Sequence, residues 1–482
     1  MIVMKFGGSS LESATAIQRV AAIVRDHALL RPAVVVSAMG KTTNRLLAIA
    51  RLAGEGNIAT ASRETEALLR FHLIEASQLA RGAEALKLAH DVRALFDEFR
   101  EVLREIEHRG TPTPRLTDTV SSFGERLSSL VVTAGLRQAG VDAVHLDARE
   151  VIVTDCRHTQ ATPLFIETNA LLRRRVSTER VTVIGGFIGA TEDGVVTTLG
   201  RGGSDYTAAI VGAALSADEI QIWTDVDGML TCDPRIFAGA HCVRSISYAE
   251  AEQMAKCGAK VLHPATVAPA VRQRIPLVIR NSRNPRGAGT RIVPESSCDG
   301  AVLSIACRTG LALLHLRPHT TPVTADFSRE IWDAFQSEGI LIEPIATSHR
   351  EISVAVEQAL LKPECLARLS ALAQVGIEAD RALITLVGQN AARNSSNLAR
   401  ASQQLCRLPG GAMMSVGSDS RVTFTIAAES MGLAVEALHE EFFGQPNPAV
   451  FIPNRLAAMT AARASVPPYP PPGRDRAWSI LR

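Results

Sequence analysis

The eight cysteines of this chain (Cys156, Cys232, Cys242, Cys257, Cys298, Cys307, Cys365 and Cys406) form no CxxC pair. That excludes a zinc or redox clip built on this spacing, and in a long chain it fits reduced thiols in a cytoplasm. Aromatic residues are scarce, at 4%, and the net charge is only +2, so nothing suggests a base-stacking or phosphate-tracking surface for nucleic acid. No apolar run approaches the roughly 20 residues that a membrane span needs. Lys5 and two glycines interrupt the short apolar start, so no signal peptide is expected. What is abundant is core-forming material: 46% of 482 residues are hydrophobic, enough for two to four soluble domains.

The most informative stretch is Thr198-Leu-Gly-Arg-Gly-Gly-Ser-Asp205. A β-branched run, Val195 to Thr198, leads in, and a helix-like run, Tyr206 to Leu215, leads out. Glycines let a ligand approach the backbone closely, and the helix start offers unpaired N–H groups and a positive dipole end, which together suit an anion. Arg201 can hold a carboxylate or phosphate with two bonds. Asp205 is an acid where anions are expected; a metal ion, an ammonium group or an N-cap role would each explain it. A plain turn capped by Ser204 or Asp205 is the alternative.

A second cradle opens the chain. The apolar strand Ile2-Val-Met-Lys-Phe6 runs into Gly7-Gly8-Ser9-Ser10 and a helix from about Ser13 to His27. Lys5 is costly to bury unless it meets an anion, or else it snorkels from a sheet edge. The run Val34-Val-Val-Ser-Ala-Met-Gly-Lys-Thr-Thr-Asn44 contains Gly-Lys-Thr, but Val35 stands where a P-loop requires glycine, and that reading fails. Residues 60 to 109 read as two long helices without chemistry, and a third runs from about Asp118 to Gly140. That helix carries Ser122-Phe-Gly-Glu125-Arg126, where an exposed Glu125–Arg126 ion pair is the alternative to a ligand contact. Val181 to Gly189 is a strand ending in glycines. The strand ending in Trp223-Thr224-Asp225 precedes Asp227-Gly228 and Asp233-Pro-Arg235, for which ordinary turn chemistry competes with ligand binding. Gly258-Ala-Lys-Val-Leu-His-Pro264 supplies Lys260, another phosphate candidate, and His263, which has no zinc-type partner nearby.

Strands alternating with helices over residues 1 to 293 predict one α/β domain with a mostly parallel sheet between helical layers. Its turns gather Lys5, Ser37, Arg201, Asp205, Asp225 and Lys260 at one edge. Two lysines and two glycine cradles among carboxylates suit phosphoryl transfer.

The motifs Lys5-Phe-Gly-Gly-Ser-Ser10, Val36-Ser-Ala-Met-Gly40, Ser122-Phe-Gly-Glu125, Thr198 to Asp205, Trp223 to Gly228 with Asp233-Pro-Arg235, and Gly258 to Pro264 resemble those of the aspartate kinases, in that family's order. The resemblance implies an amino-acid kinase fold and transfer of the ATP γ-phosphate to the side-chain carboxylate of L-aspartate, with Mg2+. That reaction is the first step towards lysine, threonine and methionine. It also implies roles. Lys5, Phe6, Gly7, Gly8, Thr224, Asp225, Leu230, Arg235, Lys260 and Val261 would form the ATP site, with Leu230 where many relatives carry a tyrosine. Thr43, Glu125, Arg201, Gly202, Gly203 and Ser204 would hold aspartate, Glu125 taking its ammonium and Arg201 its α-carboxylate. Lys5, Arg201 and Asp205 would be catalytic, and Asp205 would organise the site or the Mg2+ shell, no direct protein ligand being assigned.

After a link at Ser296 to Gly300, short strands and two helical runs occur twice over residues 301 to 445. Ala346 to Val356 resembles one ACT regulatory unit; Ala382 to Gly388, Ser395 to Ser402 and Met413 to Ser418 resemble a second. The expected division is 1–293, then ferredoxin-like α+β units at 301–380 and 381–445, the second intertwined with the start of the first, then a Pro-rich tail at 460–482 that is disordered. Such a pair implies a homodimer or larger homo-oligomer and an amino-acid effector. Asp326-Phe-Ser328 replaces the family's Gly-Phe-Leu, and Thr320-Thr-Pro-Val-Thr324 lacks its methionine, so weak inhibition by lysine alone is expected, with threonine the better candidate. From the length, no attached homoserine dehydrogenase domain is expected. Two rival readings are a related kinase acting on another acidic amino acid, and an inactive amino-acid sensor that keeps the ACT pair.

Overall fold

A computed structural model describes residues 1–257, 264–296, 300–319, 322–409, 411–416 and 421–454. Thr320, Thr321, Cys298, the segment from Gly258 to His263 with Lys260 and Val261, and the 460–482 tail lie outside the described residues.

The apolar runs read from sequence form the centre of an eight-stranded sheet. In spatial order its strands are Ala143–Leu146, Val181–Gly185, Ala33–Val36, Ile2–Phe6, Glu219–Thr224, Leu277–Asn281, Thr290–Val293 and Ser245–Ser247. The first six are mutually parallel, and Thr290–Val293 turns antiparallel at the far side. Strands buried on both faces need continuous apolar sequence, and Ile2–Phe6 and Ala33–Val36 are buried at every position. Ile2–Phe6 is central, so Lys5 is not an edge lysine.

Alternate residues face two cores. Ile2, Met4, Phe6, Val34 and Val36 pack under the helices Ala14–Asp26, Thr42–Gly54, Ile58–Ser77, Gly82–Arg109 and Pro114–Gln138. Val3, Ala33, Val35, Ile220 and Ile222 face the helix Gly203–Leu215, in a core that continues without a break to Ile305, Ile384, Phe424 and Leu438.

Ile305, Ile384 and Phe424 belong to a six-stranded antiparallel sheet, with Leu438 on a helix packed against it; the strand order is Ile342–Thr347, Ile352–Glu357, Ser304–Pro318, Ala373–Val387, Arg421–Ala427 and Met413–Val416. Short strands were expected here. Instead Ser304–Pro318 and Ala373–Val387 are 15 residues each and pair along most of their length. The polar breaks at Arg308-Thr-Gly310 and Glu378-Ala-Asp380 are irregularities inside continuous strands, with Gly310 at φ 71° and Asp380 at φ 51°. Each long strand therefore serves two halves. The Leu311–Pro318 half joins helices Ala325–Ser337 and Pro363–Leu372 in a core of its own. The other half joins helices Ser395–Leu405 and Met431–Phe443 against the first domain. Beyond 445 the chain returns to that domain, where Phe451–Ile452 pairs with Cys242–Val243. Among the described residues no helix is long and apolar enough to cross a membrane.

Candidate active site

Strand register brings the sequence motifs to one edge. Phe6 lies opposite Val36 and Trp223, Val36 opposite Gly185, and Thr224 opposite Asn281. All run in parallel, so the turns after Phe6, Val36, Gly185, Thr224 and Asn281 leave at the carboxyl edge, where open α/β sheets bind ligands. Backbone bonds weld these turns together: Gly7 N donates to Trp223 O (3.1 Å), Gly40 N to Gly8 O (3.0 Å), Gly186 N to Val36 O (2.8 Å) and Ser282 N to Thr224 O (2.8 Å). Gly8 is required by close approach, since a Cβ there would lie 2.9 Å from Gly40 O.

Lys5, 9% exposed, places Nζ 2.7 Å from Asp205 Oδ1. Asp205 stands in the first turn of Gly203–Leu215, whose N-cap is Gly202 at φ 72°, with no side-chain cap bond. The capping explanation for Ser204 and Asp205 is thus replaced by an ion pair at the positive end of a helix. The two glycine cradles found separately in the sequence meet at this pair. Gly203 and Gly186 let the turn close down: a Cβ on Gly203 would sit 2.5 Å from Phe187 Cδ2, and one on Gly186 2.7 Å from Ser204 Cβ. Arg201, on the turn itself, is exposed.

Glu125 is buried rather than paired with Arg126, which instead grips Glu98 through both guanidinium nitrogens at 2.8 and 2.6 Å. Glu125 Oε1 accepts from Ala38 N at 3.1 Å, while Oε2 is buried without a partner among the described residues. Burial pushes its carboxyl up to about 8, only partly offset by the Ala38 N–H. Helix and loop meet here through Gly124, where a Cβ would lie 2.8 Å from Ala38 Cβ and 2.9 Å from Thr43 Oγ1. Thr43 is thus beside Gly124, one residue before Glu125 on the helix.

On the other side, Thr224 Oγ1 is 3.2 Å from Asp225 Oδ1, and Asp225 is exposed at the strand tip. Asp227 accepts from Asn281 and Asn284, which is turn chemistry. Arg235 is exposed and paired with Asp233 at 2.6 Å. Leu230 bridges Cys242 through its backbone, and its carbonyl accepts from Ser304 Oγ at 2.9 Å, tying this loop to the second sheet. Sequence reasoning passed over Phe187, held at φ 68° beside the glycine turn, and Asp118. The signal for Asp118 was its position seven residues before Glu125, on the same helical face.

The sequence pattern of the amino acid kinase family matches residues 1–281. Lysine-sensitive aspartokinase 3 of Escherichia coli is 35% identical over 406 residues, spanning 81% of this chain and 87% of that protein. The chain belongs to the aspartokinases. Aspartokinase 1, chloroplastic, of Arabidopsis thaliana is 33% identical over 461 residues, 92% of this chain and 80% of its own length. Among solved aspartokinases, the crystal structure of E. coli aspartokinase III in complex with aspartate and ADP superposes with a TM-score of 0.76 at 31% identity, covering 92% of this chain and 100% of that one. The same enzyme in complex with lysine and aspartate gives 0.79 at 30%, covering 92% of this chain and 99% of that one. The fold is accordingly the amino-acid kinase fold followed by ACT-type regulatory units, and the chain is a phosphotransferase.

Proposed function

We propose that this aspartokinase transfers the γ-phosphoryl group of ATP to the side-chain carboxylate of L-aspartate, giving 4-phospho-L-aspartate and ADP. A carboxylate oxygen forms the new P–O bond while the bond to the ADP oxygen breaks. The acceptor is already ionised at neutral pH, so no general base is needed, and the work is positioning and charge neutralisation. The Lys5–Asp205 pair carries the reading, because it sets a compact cation where the two glycine cradles meet. Lys5 with Gly7 and Gly8 takes the phosphates, Phe6 fixes the turn, and Thr224, Asp225, Leu230, Arg235, Lys260 and Val261 complete the ATP site. Glu125 and Thr43 receive the ammonium end of aspartate, and Arg201 with Gly202, Gly203 and Ser204 its α-carboxylate.

Mg2+ would bind mainly through phosphate oxygens, and the Asp205 carboxylate at the Lys5 cradle would share in holding it. When bound, the ion neutralises phosphate charge. An assay of ADP release with aspartate, glutamate and N-acetylglutamate, with hydroxylamine trapping of the acyl phosphate, tests the reading; equal turnover of glutamate would overturn it. The regulatory sheet takes an amino-acid effector at a homodimeric interface, in a cytoplasmic enzyme. Asp326 opens the helix Ala325–Ser337 and pairs with Arg329 at 2.9 Å, leaving a carboxylate where an effector carboxylate would approach, so lysine alone inhibits weakly.

A further inference from the structure

Asp118 lies two turns before Glu125 on the helix Pro114–Gln138, and it is completely buried. Its carboxylate is engaged on both oxygens. Oδ1 accepts from Thr198 Oγ1 at 2.5 Å, Oδ2 accepts from His158 Nδ1 at 2.8 Å, and Thr159 N lies 3.0 Å from each. Thr198 ends the strand Val196–Thr198, three residues before Arg201. The segment holding His158 and Thr159 is bonded to the same strand end, with Ala161 N donating to Thr198 O at 2.9 Å. It also packs on the turn, since a Cβ at Gly200 would be 3.3 Å from Thr159 O. The turn is also tied by backbone bonds, among them Leu199 N to Phe187 O at 2.9 Å and Gly203 N to Gly200 O at 3.0 Å. Arg201 is itself exposed, so its direction is inherited from the turn that carries it.

We propose that Asp118 is a positioning residue for the amino-acid substrate: its buried carboxylate clamps the Thr198 end of the Gly200–Arg201 turn to the His158–Thr159 segment and so sets where Arg201 meets the α-carboxylate. This rests on the reading that Arg201 binds that group. Three different donors converge on the two oxygens, and a carboxylate accepts from all of them. In Asp118→Asn the amide oxygen can keep the Thr198 and Thr159 donors, but the NH2 group then faces His158 Nδ1, so the imidazole must change tautomer to accept from it and the charge of the clamp is lost. One helix face thus serves both ends of the substrate, Glu125 directly and Asp118 through the turn.

The test is steady-state kinetics of the full chain carrying Asp118→Asn, Thr198→Val and Arg201→Ala, singly and with Arg201→Ala combined with each of the other two. Asp118→Asn and Thr198→Val should each raise the KM for aspartate by about 10- to 100-fold, the scale on which a small misplacement acts, with the KM for ATP unchanged. In the Arg201→Ala background neither should raise it further, because the clamp acts through Arg201. An equal rise in both KM values, or effects that add to that of Arg201→Ala, would show that Asp118 merely supports the fold. If Asp118→Asn does not accumulate as folded protein, Thr198→Val carries the same expectation, since it removes one hydroxyl from a side chain of similar shape. A large Arg201→Ala effect with silent Asp118→Asn and Thr198→Val sinks the clamp alone. An aspartate KM unchanged in Arg201→Ala sinks the Arg201 reading and the clamp with it.

Discussion

Glu125 in the parallel sheet's domain and Glu351 in the antiparallel one are the same side chain put to opposite uses. Among the described residues, Glu125 is buried with one hydrogen bond and one unpartnered oxygen, and its carboxyl is pushed up to about 8. Glu351 is only partly desolvated, and it accepts from Arg317 Nε and His315 Nδ1, both at 2.7 Å, and from Ser353 Oγ at 2.8 Å; these partners hold it down to about 2. A carboxylate satisfied by its own fold is finished structure. A carboxyl buried with an open acceptor can take a donor from a ligand, and on the proposed reading Glu125 does so at the edge where five parallel strands end.

The sharpest way to break this contrast is at Lys5. On the proposed reading its cation acts mainly on charge that develops during transfer, so Lys5→Ala should lower kcat on the order of 10² or more, while circular dichroism and thermal melting report an intact fold. An unchanged kcat would remove Lys5 from the mechanism.

The two domains were not equally legible. Strands buried on both faces leave continuous apolar runs, so Ile2–Phe6 and Ala33–Val36 could be read with their turns, and the glycine motifs placed the cradle. That Asp205 meets Lys5, 200 residues away, and that Glu125 turns from Arg126 to Ala38, depend on register and helix packing that no local pattern encodes. The antiparallel sheet hid its longest strands. Polar residues at Arg308 and Asp380 mimic turns, and only pairing across the sheet shows each strand to be continuous. The return of Phe451 to Cys242–Val243 was invisible for the same reason, since two residues of strand carry no periodicity.

The next effect should appear in substrate affinity. Glu125→Gln keeps the shape but not the charge, so the KM for aspartate should rise by about tenfold or more, the scale for a charged partner lost from a buried site, with the KM for ATP nearly unchanged. Equal changes in both constants would return Glu125 to a packing role. The pH profile sharpens the same point. Holding an ammonium requires the ionised form, so the apparent affinity for aspartate should strengthen as pH rises from 6 towards 8, and Glu125→Gln should abolish that slope. A slope retained in the variant would assign the titration to another group.

Stability gives the comparison in its smallest form, with opposite signs for the two glutamates. With its pKa raised in the folded, ligand-free state, Glu125 keeps a proton that the unfolded chain has released, so it should make stability fall as pH rises from about 4.5 to about 8. Glu351, with its pKa lowered, is ionised in the folded state where the unfolded chain takes up a proton. Its contribution is present above about 4.5 and lost as pH falls towards about 2. Solvent screens a partly exposed pair, so Glu351→Gln should cost about 1 kcal/mol or less at pH 7, with kcat and both KM values unchanged. Melting curves across pH 3 to 8 decide it: the Glu351→Gln deficit should shrink as the solution is acidified. A deficit that grows below pH 4, or a change in KM for aspartate, would mean that the polar cluster of the second sheet is not the self-contained structure its bonding describes.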